Sequence, residues 1–260
     1  MLTCNIIKQV QAKLENNDAG FRSLPGTKLL RNEGEVVYTP PQEKAEIEAC
    51  MDNLERFINE SPAGDIDPLV KMAIMHHQFE SVHPFYDGNG RTGRIVNVLY
   101  LVVTGLLDIP ILYLSRYITR NKSEYYNLIQ SVRDSSDKQK EWENWILFLL
   151  KGIEETATET INLVQNISDM MSRYKQVLRP IFGKQYKHEL LNDLFFHPYT
   201  KIEYLERDLE INRKTAAKYL NTIAEAGLLE IQRFGKSNYY INRELVELFL
   251  SVGERSTQKQ

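Results

Sequence analysis

The sequence predicts an all-α fold carrying one small β-hairpin, followed by a smaller C-terminal module in which helices give way to strands. Three observations predict it. Apolar residues recur at helical spacing through most of the chain. From Trp145 to Leu178 they form one stripe at about 3.5-residue spacing, long enough for a single helix of about 50 Å. After Arg179-Pro180 the pattern shortens to three brief helices and then changes to period two.

The elements follow in order. Asn5 to Glu15 reads as an amphipathic helix with Ile6, Val10 and Leu14 on one side. A Gly- and Pro-bearing stretch leads to Glu35-Val36-Val37-Tyr38-Thr39, a β-branched and aromatic strand closed by Pro40-Pro41. Pro41 suits the first turn of a helix that buries Ile47, Met51 (or Cys50), Leu54 and Ile58. Asp67-Pro68 opens the next helix with a capping carboxylate and an N-terminal proline, and His83-Pro84 closes it. A helix from about Arg91 to Val103 carries Ile95, Val98, Leu99 and Val102; others lie near Asn121–Arg133 and from about Trp142 onward. In the C-terminal part, Leu190–Phe196, Ile202–Leu209 and Arg213–Ala226 read as helices, the last capped by Asn212 and stopped at Gly227. Leu228–Phe234 and Ser237–Ile241 pair around Gly235-Lys236. Three helices and a hairpin make a winged helix-turn-helix.

Composition narrows the function. The chain has 260 residues, and 32 Lys+Arg against 35 Asp+Glu leave a formal charge of −3. That balance argues against a protein whose main work is wrapping nucleic acid or coating an anionic membrane. A 42% apolar fraction excludes global disorder. Cys4 and Cys50 cannot build a disulfide framework or a four-cysteine zinc site. The start of the chain lacks the apolar core of a secretory signal, and the most hydrophobic stretch, Val98 to Leu114, is broken by Gly105, Asp108 and Pro110. The expectation is a soluble cytoplasmic protein.

The chemistry concentrates in His83-Pro84-Phe85-Tyr86-Asp87-Gly88-Asn89-Gly90-Arg91-Thr92-Gly93-Arg94. Glycines on both sides of Asn89 let the backbone turn tightly and bring bare N–H groups to a ligand. A helix begins there, so its positive end faces the loop and favours phosphate. Arg91 and Arg94, three apart, share a helix face and can fork onto further phosphate oxygens. A carboxylate at Asp87 beside phosphates is costly unless it holds a divalent cation such as magnesium. His83 supplies a base of near-neutral pKa. Together these suit transfer of a phosphorus centre. The string also satisfies G-x-G-x-x-G, with Asp108 20 residues beyond Gly88, but no apolar strand precedes it, so a dinucleotide site is not expected.

The string resembles, residue for residue, the HPFxDGNGRxxR motif of Fic-domain adenylyltransferases. Gly20-Phe21-Arg22 and Glu35–Pro41 are similar to the segment before the family's core, including its flap hairpin. Tyr125-Tyr126 with Ile129 resembles the nucleoside-binding stretch, and a C-terminal winged helix occurs in one bacterial branch. The resemblance implies ATP as substrate with Mg2+ held by Asp87. The α-phosphate would lie against the amides of Gly88, Asn89 and Gly90, with Arg91 and Arg94 on the β- and γ-phosphates. His83 would take the proton of a Ser, Thr or Tyr hydroxyl of a protein substrate, itself included, and pyrophosphate would leave. Val37 and Tyr38 of the flap would align the target by strand addition. Phe85 would anchor the loop. Doc-type relatives, which phosphorylate, carry Lys where this chain has Gly90, so AMP transfer is implied. Many members carry an inhibitory [ST]xxxE[GN] helix whose glutamate pairs with the second motif arginine. No such string stands here; the nearest, Thr39 to Glu43, is broken by prolines. Constitutive activity, a missing segment or an inhibitory partner are the alternatives. At Arg133 the family often has Asn near the adenine.

The expected organisation is an N-terminal helical segment 1–33, a catalytic core 34–180 with flap 34–39, and a winged helix 181–260 with a short polar tail. Two further readings stay open. His76, His77, His83 and Asp87 could form a metal cluster, although adjacent helical histidines point about 100° apart. A nucleotide-sensing regulator that binds DNA through the winged helix is the alternative function. Residues 181–250 hold ten cations and ten anions, but Arg213, Lys214, Lys218, Arg233 and Lys236 outnumber Glu225 and Glu230 on the third helix and wing. The Trp145–Leu178 stripe reads as internal core, with a homodimer seam as the other possibility.

Overall fold

The structure is a computed structural model that describes residues 1–30, 34–60, 66–235 and 237–254. Among these residues it is dominated by helices, with two small antiparallel sheets. It divides into two compact units, residues 1–158 and 159–260.

The first unit begins with α1 (Cys4–Glu15), capped by the Thr3 hydroxyl and ended by Asn16 in the left-handed region at φ 52°. β1 (Leu29–Leu30) pairs antiparallel with β2 (Val36–Tyr38), so the flap is a hairpin whose first strand lies ahead of the expected 34–39. Next come α2 (Lys44–Glu60), α3 (Pro68–Val82), α4 (Asn89–Val103), α5 (Leu114–Arg120) and α6 (Lys122–Asp134). α2 buries Ile47, Met51, Leu54 and Ile58, as the spacing predicts. It starts at Lys44 and leaves Pro41 outside the helix, because the Pro41 carbonyl accepts from Arg22.

α3 is the centre of this unit. It packs on both α2 and α4, and its buried residues cover nearly its whole circumference, from Met72 and Met75 to Phe79 and Val82. Asp67 Oδ1 caps it through the Leu69 amide at 2.8 Å. Such a helix buries polar groups too, and each needs a partner. Lys71 donates to the Ile58 carbonyl at 3.0 Å near the end of α2, where helix carbonyls lack intrahelical donors. His76 Nε2 meets the Tyr125 hydroxyl at 2.9 Å, and His77 Nε2 donates to the Ile129 carbonyl at 3.2 Å.

α7 (Lys138–Phe182) is the long helix of the stripe. In the first unit Trp145 is fully buried and donates its indole N–H to the Ala73 carbonyl at 2.8 Å. The helix does not end at Pro180: it continues to Phe182. Leu178 and Phe182 are four apart and both join the second core, so burial carries the helix two residues past a proline near its end.

The second unit's core takes Met170, Tyr174, Leu178 and Phe182 from α7, ahead of the expected boundary at 181. After a short 3₁₀ turn follow α8 (His188–Phe196), β3 (Tyr199–Thr200), α9 (Ile202–Leu209), α10 (Arg213–Glu225), β4 (Glu230–Phe234), β5 (Ser237–Ile241) and α11 (Arg243–Glu254). Asn212 Oδ1 caps α10 through the Thr215 amide at 3.0 Å. The sheet order is β3-β5-β4, with Glu230 opposite Ile241 and Phe234 opposite Ser237. The helices and hairpin thus stand in the expected order. α11 was not anticipated, and Lys236, expected in the turn, lies outside the described residues.

Candidate active site

The motif loop joins α3 to α4. His83 ends α3 in the left-handed region (φ 49°), its amide still bonded to the Phe79 carbonyl at 2.9 Å. A non-glycine residue pays about 1–2 kcal/mol for that conformation, so the surroundings must hold it there. Arg22 does so. It is fully buried and its Nε donates to the His83 carbonyl at 2.8 Å, while Nη2 reaches the carbonyls of Val82 and Pro41. Its own amide donates to the Pro84 carbonyl at 2.8 Å. One guanidinium therefore joins the end of α3 to the segment that follows the flap.

Two further anchors shape the loop. Phe85 is fully buried, with its ring 5.3 Å from Phe21 and 6.3 Å from Phe79. Asn89 bonds both backbone groups of Phe85, Oδ1 to N at 2.9 Å and Nδ2 to O at 2.8 Å. The Asn89 side chain thus closes the turn, and its contribution to a ligand is its amide. Gly88 caps α4 at φ 80°, which glycine adopts without the Cβ penalty.

The Gly88 amide, expected at the α-phosphate, is taken by Asp87 Oδ1 at 2.7 Å. The amides of Asn89 and Gly90 remain, in the first turn of α4 where a helix has no acceptor for them. Asp87 is exposed. A single exposed carboxylate beside an anion cradle fits magnesium, which takes one or two protein carboxylates and completes its shell with phosphate oxygens and water. Arg94 Nε donates to Ser115 Oγ of α5 at 2.9 Å, which fixes that guanidinium beside Gly90.

His83 is mostly enclosed, and Nδ1 is its buried nitrogen. Burial first, then the positive charges of Arg22 and Arg133, push its pKa down to about 4. The imidazole is therefore neutral at physiological pH and able to accept a proton. His76 and His77 are lowered to about 3 and about 4, chiefly by burial. Both are core histidines bonded to α6, and among the described residues no group of three or more His, Cys, Asp or Glu is placed to hold a metal.

Other expected residues are sorted by the fold. Tyr125 is 2% exposed and its hydroxyl meets His76, so it belongs to the core and not to a nucleoside surface. Tyr126, 57% exposed, is the open member of the pair. Val37 and Tyr38 are half-buried in β2. The guanidinium of Arg133 sits 3.8 Å from the Tyr38 ring centroid and bonds Ser81 and the Glu80 carbonyl on α3.

Glu15 was missed in the sequence. Its Oε1 lies 2.7 Å from Arg91 Nη2, and a Cβ placed on Gly88 would collide with the same oxygen. A carboxylate therefore occupies the mouth of the cradle. The full inhibitory pattern is still absent, and Glu15 meets Arg91, the first motif arginine, where the pattern's glutamate would meet the second. The signal was the pair Glu15-Asn16, which has the E-[GN] half of the pattern with Asn16 as a left-handed cap. Gln11 stands where the pattern asks for Ser or Thr, and its side chain instead donates to the Asp87 carbonyl at 3.3 Å.

A neutral histidine, two free first-turn amides and two arginines on one helical scaffold are groups suited to an anionic, phosphate-bearing ligand. The Fic/DOC family model matches residues 2–101, and the model for the protein adenylyltransferase SoFic-like C-terminal domain matches residues 170–245. Residues 2–101 thus match a Fic/DOC domain and residues 170–245 a SoFic-like C-terminal domain. Over 71 residues it is 46% identical to a protein of Aquifex aeolicus named as a probable protein adenylyltransferase, covering 27% of this chain and 20% of that one. Over 111 residues it is 25% identical to the protein adenylyltransferase Fic of Drosophila melanogaster, covering 43% of this chain and 21% of that one. The chain thus spans about a fifth of the length of these relatives. A crystal structure of a Fic family protein from Desulfovibrio desulfuricans G20 shares the fold, with 20% identity, a TM-score of 0.50, and coverage of 92% of this chain and 69% of that chain. Among the described residues no helix is long and apolar enough to cross a membrane.

Proposed function

We propose that the protein transfers AMP from ATP to a Ser, Thr or Tyr hydroxyl of a protein, its own chain included, with release of pyrophosphate. The observation that carries this reading is His83, an imidazole kept neutral beside the open amides of Asn89 and Gly90. The triphosphate lies over the first turn of α4, with Arg91 and Arg94 on its outer phosphates. Asp87 is the residue that would hold magnesium, which when bound neutralises phosphate charge. His83 takes the proton of the acceptor hydroxyl as its oxygen bonds to the α-phosphorus. The bond from that phosphorus to the bridging oxygen breaks, and the arginines stabilise the charge gathering on pyrophosphate. The target backbone adds along β2, where Val36 is exposed and Val37 and Tyr38 are half-buried.

Glu15 holds this activity back by competing for Arg91 and for the space over Gly88. Its release by movement of α1 opens the cradle. Incubation with ATP labelled at the α- or the γ-phosphate tests the reaction: the α label alone should reach protein and should be lost in His83→Ala. Transfer of the γ label alone would mean phosphorylation and overturn the reading.

A second reading concerns the other unit. A cleft of about 330 Å³ is lined by Lys201, Glu203, Arg213, Arg233, Ser237 and Asn238, and it favours contact with a nucleic-acid backbone. Its cations come from α10, β4 and the residue that precedes α9, and the winged-helix topology would set α10 beside the duplex. Retention of duplex DNA that weakens steeply with salt supports it; no retention at low salt overturns it.

A further inference from the structure

Glu80 is a buried carboxylic acid that the reaction above does not use. It lies on α3, one turn before His83, and is 8% exposed. Its Oε1 is enclosed and has no hydrogen-bond partner. A Cβ placed on Gly93 would fall 3.1 Å from that oxygen, and one placed on Gly90 would fall 3.7 Å from it. The carboxyl group thus sits directly beneath the turn of α4 whose amides form the cradle. The same point on Gly90 is 3.1 Å from Arg94 Nη1. Glu80 from below and Arg94 from the side therefore converge on one residue of the anion site.

The groups facing Glu80 come from two elements besides its own. From α4 there is Arg94; from α6 there are Arg133, Tyr125 and Tyr126. On α3 itself His76 is bonded to Tyr125 and stays neutral. An ionised carboxylate with one oxygen enclosed and unbonded is unfavourable, and the two guanidiniums offset this only in part. Packing alone does not call for such a group: Gln would fill the same volume. Arg94 has its Nε engaged by Ser115 and needs a balancing charge as long as no phosphate lies in the cradle.

We propose that Glu80 is a positioning residue, the resident counter-charge of Arg94, which gives up that role by taking a proton when the triphosphate binds. This rests on the reading that the loop binds a triphosphate. Before binding, Arg94 is shared between Ser115 and the field of Glu80. The incoming phosphates take over Arg94 and add negative charge above Gly90, so the carboxyl below becomes the more costly anion and binds H+ from solvent. Burial already holds its pKa up to about 7 against the lowering by Arg94 and Arg133, so the proton is exchanged near neutrality. At pH 7 about half the molecules carry an ionised Glu80, and binding takes up at most about half a proton per site.

The test is calorimetry of a non-hydrolysable ATP analogue with Mg2+, in buffers of different ionisation enthalpy, on the wild type and Glu80→Gln. Protons exchanged by the nucleotide itself cancel in the difference between the two proteins. The wild type should take up more protons than the variant, the excess should peak between pH 7 and 8, and the variant's KM for ATP should fall modestly with kcat less affected, because its neutral side chain neither competes for Arg94 nor needs a proton. Equal proton uptake in two proteins that both bind the analogue would overturn the proposal and leave the triphosphate reading standing. No binding by either would overturn both. Should Glu80→Gln fail to fold, infrared difference spectra of wild type carrying ¹³C-labelled glutamate decide the matter. Gain of a protonated-carboxyl band on analogue binding at pH 7 supports the proposal, and no gain overturns it.

Discussion

Two cationic regions of this molecule are built on opposite plans. In the motif loop the charges are backed from inside. Arg22 is wholly buried, Arg94 is tied to Ser115, and beneath the first turn of α4 lies Glu80. In the second unit's cleft, Arg213 is mostly exposed and its nearest acid, Glu206, is 3.7 Å away. Lys201 lies 3.6 Å from Glu203 and 4.3 Å from the Tyr239 ring centroid. The first plan fixes donors before a ligand arrives, which chemistry requires. The second offers a mobile, screened field, which suffices for loose association. Substitutions should therefore act steeply and specifically in the first region, and weakly and through salt in the second.

The largest effect belongs to His83. His83→Ala removes the base while sparing the cradle, so AMP transfer should fall by about 10²–10⁴-fold with ATP binding kept. Radiolabel transfer beside analogue binding separates the two; a comparable loss of binding would count against a purely chemical role. The pH profile sharpens this. A base whose pKa in the folded protein lies near 4 instead of 6.5 stays competent as pH falls from 7 to about 5, and is lost as pH passes through 4. The sign for stability is the reverse of a gained partner. His76, His77 and His83 bind protons more readily unfolded, so below about pH 6.5 unfolding takes up protons and stability falls as pH drops. Glu80, raised to about 7, works in the opposite direction. Tm measured by circular dichroism across pH 4–7 should decline toward acid, and an activity loss that tracks Tm instead of His83 would show that unfolding set the limb.

Next in size is Arg22→Ala. It leaves the His83, Val82 and Pro41 carbonyls without their shared donor and frees the strained turn, at a cost of about 2–4 kcal/mol in denaturant unfolding. A change below about 0.5 kcal/mol would mean that water replaces the guanidinium without penalty. Glu15→Gly acts in the other direction. Half-exposed Arg91 makes the pair weaker than a buried one, so opening the cradle should raise transfer by roughly tenfold, read as initial rate at limiting ATP. An unchanged rate would remove Glu15 from regulation.

These residues also mark what could be read from the sequence. The loop was legible because its parts are local: turn, helix start, base and arginines fall within twelve positions. Arg22 was visible only as part of a familiar stretch, because its contact with His83 closes across 61 residues. Glu15 reaches the loop from 73 positions before Gly88, and Gln11 hid the pattern that would have singled it out. Tyr125 and Tyr126 could not be told apart because neighbours on a helix face different ways, and only packing says which way is inward. Nothing in the sequence singles out Glu80. Its burial follows from α3 being enclosed on nearly all sides, and one helix's sequence does not show how many neighbours cover it.

The smallest effect tests the second region. Arg233 is exposed, and its Nε bonds only weakly to the Gly235 carbonyl at 3.4 Å, so its guanidinium is available to a phosphate. If Lys201, Arg213 and Arg233 each neutralise one phosphate, duplex affinity should fall with a slope of about −3 in log K against log salt. Arg233→Gln should then flatten that slope by about 1 and weaken binding alike for all sequences, while AMP transfer stays at the wild-type rate. Fluorescence anisotropy with a labelled duplex from 50 to 200 mM salt, conditions of about this range being those over which such slopes are read, provides the measurement. A slope unchanged by the substitution would take the cleft out of the interface. A large loss of AMP transfer in the same variant would break the comparison itself, because it would mean that a screened surface charge acts on the preorganised site.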